Sequence, residues 1–199
     1  MKGSSIIGGE LRRQKMGSVP KGLNTRPILA RIKKSLFDIL KTRIDGSRFL
    51  DLFAGSGSVG LEALSRGAGQ VVFVDSNAYC ARWIQETVAD IGQRNSSLMR
   101  LGQTEVWRRD VRMGLSWLGG GEPFDLIFSG APYKDAKGQP LTFVQFILEQ
   151  LSKEALLAPG GWFIAQHSVR ETFSTPPEWD FFREEKYGDT ALSFFRHAP

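Results

Sequence analysis

One cysteine and two histidines are all the chain's 199 residues offer to disulfide or zinc chemistry. Cys80 alone excludes an internal disulfide, and with so few imidazoles neither a structural zinc site nor metal catalysis finds ligands. No apolar run approaches the ~20 residues needed to cross a bilayer. The opening Met1-Lys2-Gly3-Ser4-Ser5-Ile6-Ile7-Gly8-Gly9 lacks the apolar core of a secretion signal. No internal repeat or low-complexity tract is present. These absences point to a soluble cytoplasmic protein without membrane or metal. What remains, 41% apolar and 24% charged residues, is the composition of one ordinary globular domain.

Acidic residues are scarce in one place only. Residues 1–43 hold eleven Lys and Arg against Glu10 and Asp38, a local charge of +9, whereas the remainder carries −4. A basic segment on a mildly acidic body is the electrostatic footprint of a polyanion-binding protein, and also that of a solvated, solubilising N-terminus.

Glycine pairs and short apolar stretches over residues 5–20 suggest a hairpin or extended arm. Asn24-Thr25-Arg26-Pro27 reads as a helix start, with a capping side chain and a proline near the first helical position. Leu29, Ile32, Leu36 and Ile39 then recur at steps of three or four, leaving Arg31, Lys33, Lys34 and Lys41 largely for other faces. From residue 46 strands and helices alternate. Strands are expected at Arg48–Leu52, Val71–Asp75, Phe124–Phe128 and Trp162–Gln166, and helices at Val59–Arg66, Ala78–Ile91 and Leu141–Leu151. Trp179–Phe182 and Leu192–Phe195 look like a closing strand pair, hence an antiparallel edge on a mostly parallel sheet covered on both faces.

The most informative stretch is Leu50-Asp51-Leu52-Phe53-Ala54-Gly55-Ser56-Gly57-Ser58-Val59-Gly60, a G-x-G-x-x-G between a strand and a helix. In that context the glycines let the backbone turn sharply and approach a nucleotide. Asp75, at the end of the next strand and 20 residues after Gly55, is placed to accept from ribose hydroxyls. Asp51 decides between cofactors. A carboxylate at the first strand's end repels a pyrophosphate but suits the α-ammonium of a methionine moiety. S-adenosyl-L-methionine therefore fits better than NAD, and an NAD-dependent oxidoreductase is the poorer reading. Asp110 offers a third carboxylate for the adenine amino group, or is a solvated loop residue. Trp83 or Trp107 could border the cofactor. His167 reads as a hydrogen-bonded structural residue and Cys80 as a small buried apolar one.

Four segments occur in order: Asn24-Thr25-Arg26-Pro27 before a basic helix, Asp51-Leu52-Phe53-Ala54-Gly55-Ser56-Gly57, Leu61-Glu62-Ala63-Leu64-Ser65-Arg66-Gly67-Ala68, and Tyr187-Gly188-Asp189-Thr190. Together they resemble the bacterial 16S ribosomal RNA guanine-N2 methyltransferases that modify guanine 966, over nearly the whole chain. The resemblance implies a Rossmann-like class I methyltransferase fold: seven strands, six parallel and one antiparallel, with helices on both faces. It implies that Asp51 and Phe53, Ala54, Gly55, Ser56 and Gly57 hold the methionine part, Asp75 the ribose and Asp110 the adenine. Residues 1–43 would be an RNA-binding arm and helix, with Arg12, Arg13, Arg26, Arg31, Lys33 and Lys34 gripping phosphates. Residues 44–199 would be the catalytic domain, acting as a monomer on 16S rRNA or a small-subunit particle.

The chain departs from that family at one point. Where the resemblance implies Asp/Asn-Pro-Pro-Tyr/Phe after the fourth strand, the sequence reads Gly130-Ala131-Pro132-Tyr133. An acid there would accept a proton of the poorly nucleophilic exocyclic N2, with the carbonyl of residue 131 accepting the other. Glycine removes the first acceptor and keeps the second, while Tyr133 can still stack on an extruded base. Three readings follow: activity through Ala131 and positioning alone, an acceptor from Asp135 or Ser129, or a weakly active RNA-binding assembly factor that retains cofactor affinity.

Overall fold

The strands around the glycine loop are near-continuous apolar runs, as burial on both faces demands. In the computed structural model, which describes residues 6–12, 28–94, 102–135 and 137–199, β1 (Arg48–Leu52), β2 (Gln70–Asp75), β3 (Gln103–Arg108), β4 (Phe124–Ser129), β5 (Leu157–Ser168), β6 (Trp179–Tyr187) and β7 (Thr190–His197) form one sheet. The strand order is β3-β2-β1-β4-β5-β7-β6. β1, β2, β3, β4 and β5 pair in parallel, and β7 runs antiparallel to both β5 and β6. The closing pair thus forms the expected antiparallel edge of the sheet, with β7 as the antiparallel strand and β6 outermost. A tight turn through Gly188 and Asp189 makes β6 and β7 a hairpin, and the hairpin docks by its second strand.

Among the described residues, four α-helices cover the sheet: α1 (Ala30–Ile39), α2 (Ser58–Ser65), α3 (Ala78–Arg94) and α4 (Val144–Lys153). One apolar cluster joins α1, α2 and α3 to one face through Leu36, Phe37, Leu61, Phe73, Ile84 and Phe128. A second joins α4 to the other through Leu50, Val74, Ile147, Leu151 and Phe163. None of the described helices is long and apolar enough to cross a membrane.

Residues 6–12 form turns with no strand, contrary to the hairpin reading of that part of the segment. Ile6 and Leu11 are buried with α1 and the sheet. The segment is held to α2: Ile7 and Gly8 N–H donate to the Glu62 carboxylate (2.7 and 2.8 Å), and Leu11 N–H donates to Ser65 Oγ (2.9 Å). Gly9 lies so close that a Cβ there would sit 1.8 Å from the Ser65 carbonyl oxygen. The helix start expected at Asn24-Thr25-Arg26-Pro27, the 13–20 part of the arm, Arg13 and Arg26 lie outside the described residues.

Candidate active site

Sheet order reverses at β1, which has β2 on one side and β4 on the other. Such a switch point opens a crevice beyond the carboxyl ends of the strands, and the expected cofactor and catalytic loops all leave the sheet there.

The loop after β1 is shaped by left-handed backbone at Gly55 (φ 56°) and Gly57 (φ 74°), and also at Phe53 (φ 61°). That conformation is unusual for a residue with a Cβ and costs about 1–3 kcal/mol. Phe53 is steadied by an edge-on contact with Phe143, ring centres 5.0 Å apart. Gly57 N–H closes the turn on the Ala54 carbonyl (2.7 Å), and Ala54 N–H donates to Val74 in β2 (2.9 Å). Gly60 brings α2 against the sheet: a Cβ there would meet the Phe73 ring at 2.2 Å.

Two carboxylates hold this loop. Asp51 is buried, and its Oδ2 accepts from Gly60 N–H (2.8 Å). Burial pushes its carboxyl up to about 7; the Gly60 N–H draws it back and the nearby Asp75 charge adds to the rise. A buried acid poised in this way gains most from an incoming cation, so the site fits the α-ammonium of S-adenosylmethionine. Asp75 Oδ2 accepts from Gly55 N–H (2.7 Å) and Oδ1 from Asn77 N–H (2.8 Å), which leaves lone pairs for ribose hydroxyls. Cys80 is buried as expected, yet its thiol also bonds to Asp75; burial first, then that carboxylate, pushes the thiol up to about 12.

Asp110 follows β3 at the same edge, next to Asp75 through Arg109 N–H to the Asp75 carbonyl (3.2 Å). Its carboxylate is gripped by Arg112 (Nη2–Oδ2 2.6 Å) and accepts from Arg112 N–H (3.0 Å), which holds it below the usual carboxylate range. Trp107 is an exposed β3 residue resting against Trp117, and Trp83 Nε1 is buried without a partner. His167 bridges two groups: Nδ1–H donates to the Ser168 carbonyl (2.9 Å), and Nε2 meets Ser193 Oγ (2.8 Å).

The Gly130-Ala131-Pro132-Tyr133 segment sits beside the glycine loop, with Gly130 N–H donating to the Leu52 carbonyl (3.2 Å). A Cβ on Gly130 would lie 3.2 Å from Phe128 Cε1 and 4.0 Å from the Phe53 carbonyl oxygen, in ordinary backbone conformation. Neither expected substitute acceptor faces that space. Asp135 is absorbed by its own turn, Oδ1 accepting from Lys137 and Gln139 N–H (both 2.8 Å). Ser129 is buried in the ladder between Leu52 and Ala165, and strand alternation turns it to the opposite face from residue 130.

Sequence reasoning missed the polar group around Tyr133. Its hydroxyl accepts from Gln166 Nε2 (3.0 Å) and donates to Thr190 Oγ1 (3.2 Å). Gln166 Oε1 is buried with no hydrogen-bond partner. Thr190 was visible within the Tyr187-Gly188-Asp189-Thr190 segment, whereas nothing in the sequence marked Gln166.

The expected cations divide. Arg31 and Lys34 are exposed on α1, and Arg12 is exposed at the end of the segment on α2. Lys33 is buried: Nζ lies 3.4 Å from Glu62 Oε2 and donates to the Ser58 carbonyl (3.3 Å). That corrects its assignment to phosphate binding, because the apolar face that docks α1 takes Lys33 inward to a carboxylate with 0% exposure. Burial lowers its pKa, partly countered by Glu62. The same pair seats α1 against the start of α2, where the glycine loop ends.

Strand order, switch-point crevice and glycine loop with its two acids define a class I methyltransferase fold. Within that class, the chain belongs to the family described as conserved hypothetical protein 95, whose profile matches residues 4–196. Ribosomal RNA small subunit methyltransferase D of Escherichia coli K12 is 26% identical over 192 residues, covering 96% of this chain and 88% of its own. Bacillus subtilis YlbH, provisionally named an rRNA methyltransferase, is 29% identical over 193 residues, covering 96% and 97%. The solved structure of Escherichia coli yhhF, provisionally named a methyltransferase, superposes with a TM-score of 0.77 at 25% identity, over 97% of each chain.

Proposed function

We propose that the protein transfers a methyl group from S-adenosylmethionine to the exocyclic N2 of a guanine in 16S rRNA, within a small-subunit particle. The observation that carries this reading is the convergence of Asp51, the Gly55–Gly57 turn, Asp75 and the Gly130–Tyr133 segment at one switch point. Full-length similarity to named rRNA methyltransferases supports the substrate class. When bound, S-adenosylmethionine supplies an electrophilic methyl carbon: the N2 lone pair forms the new bond, sulfur keeps the carbon–sulfur pair, and N2 gives up one proton to water.

The chain's own groups bind and orient. Asp51 receives the ammonium, Asp75 the ribose, and Phe53 to Gly57 the methionine backbone. Asp110 faces the adenine end once Arg112 yields a share of its carboxylate. Pro132 and Tyr133 form one wall for an extruded base, a stacking contact worth about 1–3 kcal/mol. The carbonyl of Ala131 accepts one N2 proton. Residues 1–43 form the RNA-facing part, with Arg12, Arg31 and Lys34 on phosphates, alongside Arg13 and Arg26.

Incubation with methyl-labelled S-adenosylmethionine and small-subunit particles from cells lacking this protein tests the reading. The label is expected in 16S rRNA and not in protein. Label-free rRNA alongside cofactor binding would contradict it.

A further inference from the structure

The family resemblance places an acid at residue 130, and this chain has glycine there. What stands in its place follows from register. β4 and β5 pair in parallel with Ser129 opposite Ala165, so one further step along the ladder sets Gln166 beside Gly130. Paired residues of a parallel ladder point to the same face. Phe128 and Ile164, two residues back on each strand, both lie in the cluster under α1 and α2, as does Leu192, the antiparallel partner of Gln166. The Gln166 side chain and a side chain at residue 130, next to Phe128, therefore face the same side of the sheet.

Gln166 carries an acceptor with nothing to accept. Its Nε2 is committed to the Tyr133 hydroxyl at 3.0 Å, while Oε1 is buried and unpartnered. A buried acceptor without a donor keeps the penalty of its lost hydration, a penalty removed when a donor arrives. The donor that the site brings is the exocyclic amino group of a base stacked on Tyr133. Ser129 points to the other face, Asp135 is occupied by its own turn, and Asp51 is turned to Gly60.

We propose that Gln166 Oε1 is the second acceptor for the target guanine's N2 protons, opposite the Ala131 carbonyl, replacing the carboxylate absent at residue 130. The assignment rests on the guanine-N2 reading above. A neutral amide can hold an N2–H as the nitrogen becomes tetrahedral but takes no proton, so the surplus proton leaves to water. Gln166 then serves two ends of one interaction: Nε2 orients the stacking ring, and Oε1 orients the amino group.

The test compares steady-state methyl transfer to unmethylated small-subunit particles with calorimetric affinity for S-adenosylmethionine. Gln166→Leu is expected to lower kcat about 100-fold, as loss of a transition-state hydrogen bond does, with cofactor affinity unchanged. Gly130→Asp, which the backbone accepts if the Phe128 ring yields slightly, is expected to recover most of that loss in the Gln166→Leu background. Tyr133→Phe frees Nε2 but leaves Oε1, and is expected to cost less than Gln166→Leu. Gln166→Glu keeps the shape and an acceptor at Oε1, with its second oxygen in place of Nε2 able to accept from the Tyr133 hydroxyl, and should retain most of kcat, which tests the assignment even if the leucine variant misfolds. Wild-type transfer left intact by Gln166→Leu, equal losses in Gln166→Leu and Tyr133→Phe, or no recovery by Gly130→Asp would each overturn this assignment alone. Absence of transfer by the wild type would remove it together with the functional reading.

Discussion

At the residue scale the decisive group is Asp51. Its carboxyl is raised from the usual 3.8 to about 7 by burial, so the fold holds the proton more tightly than the unfolded chain does. The cofactor-free protein is thus expected to lose stability as pH rises from about 4 to about 7, the reverse of an ion-paired carboxylate. Asp51→Asn should flatten that slope in thermal melts across the range. Binding a cationic ammonium favours the ionised form, so affinity for S-adenosylmethionine should tighten as pH rises through 7. Asp51→Asn should weaken it about 10- to 100-fold, the worth of a charge-assisted hydrogen bond; calorimetry at several pH values checks both. The residue's type and place were legible in the sequence, because a strand-end acid before a glycine turn is a local pattern. Gln166 was not, since its meaning lies in a register with Gly130 some 36 positions away.

At the element scale α2 is the hub. It starts at the glycine turn after β1, packs through Gly60 on Phe73, and uses buried Glu62 to hold residues 7 and 8, Lys33 and Arg66. Gly60→Ala must push against an aromatic ring inside the sheet face and is expected to destabilise by about 1–3 kcal/mol, read by denaturant melts. Lys33→Met should also lower stability, by about 1–3 kcal/mol, since Glu62 keeps Arg66 and two backbone donors but loses one charged partner. The boundaries of β1 and the start of α3 matched the sequence pattern because β1 is a short, nearly continuous apolar run buried on both faces and α3 repeats its apolar positions against the core. β3 escaped notice for the opposite reason. Its Gln-Thr-Glu-Val-Trp-Arg is an edge strand with no fully buried position, so no hydrophobic period marks it. β5 extends beyond the expected Trp162–Gln166 because Pro159-Gly160-Gly161 has the composition of a turn, whereas the strand passes through it with a register shift against β4.

At the scale of the molecule, charge and architecture meet at one edge. The described parts of the basic N-terminal segment pack into the same core as the sheet, through Ile6, Leu11, Ile32 and Phe37, so the exposed Arg12, Arg31 and Lys34 are carried on elements anchored to that core. Replacing Arg31 and Lys34 by Ala should reduce the slope of log affinity for rRNA against log salt by about one for each phosphate left without its cation. Lys33→Met should leave that slope unchanged, because its ammonium faces Glu62. An equal change in both would return Lys33 to the RNA surface. Charge asymmetry was plain in the composition, but which cations face outward depends on how α1 docks, and only packing settles that.

The most direct measurement is the identity of the modified nucleoside. Unmethylated small-subunit particles are treated with the protein and S-adenosylmethionine, the 16S rRNA is digested to nucleosides, and the products are separated by mass spectrometry. The account predicts N2-methylguanosine, formed by the wild type and reduced in Asp51→Asn at limiting S-adenosylmethionine. A methyl group on another guanine nitrogen, on a different base, or on no nucleoside at all would contradict it.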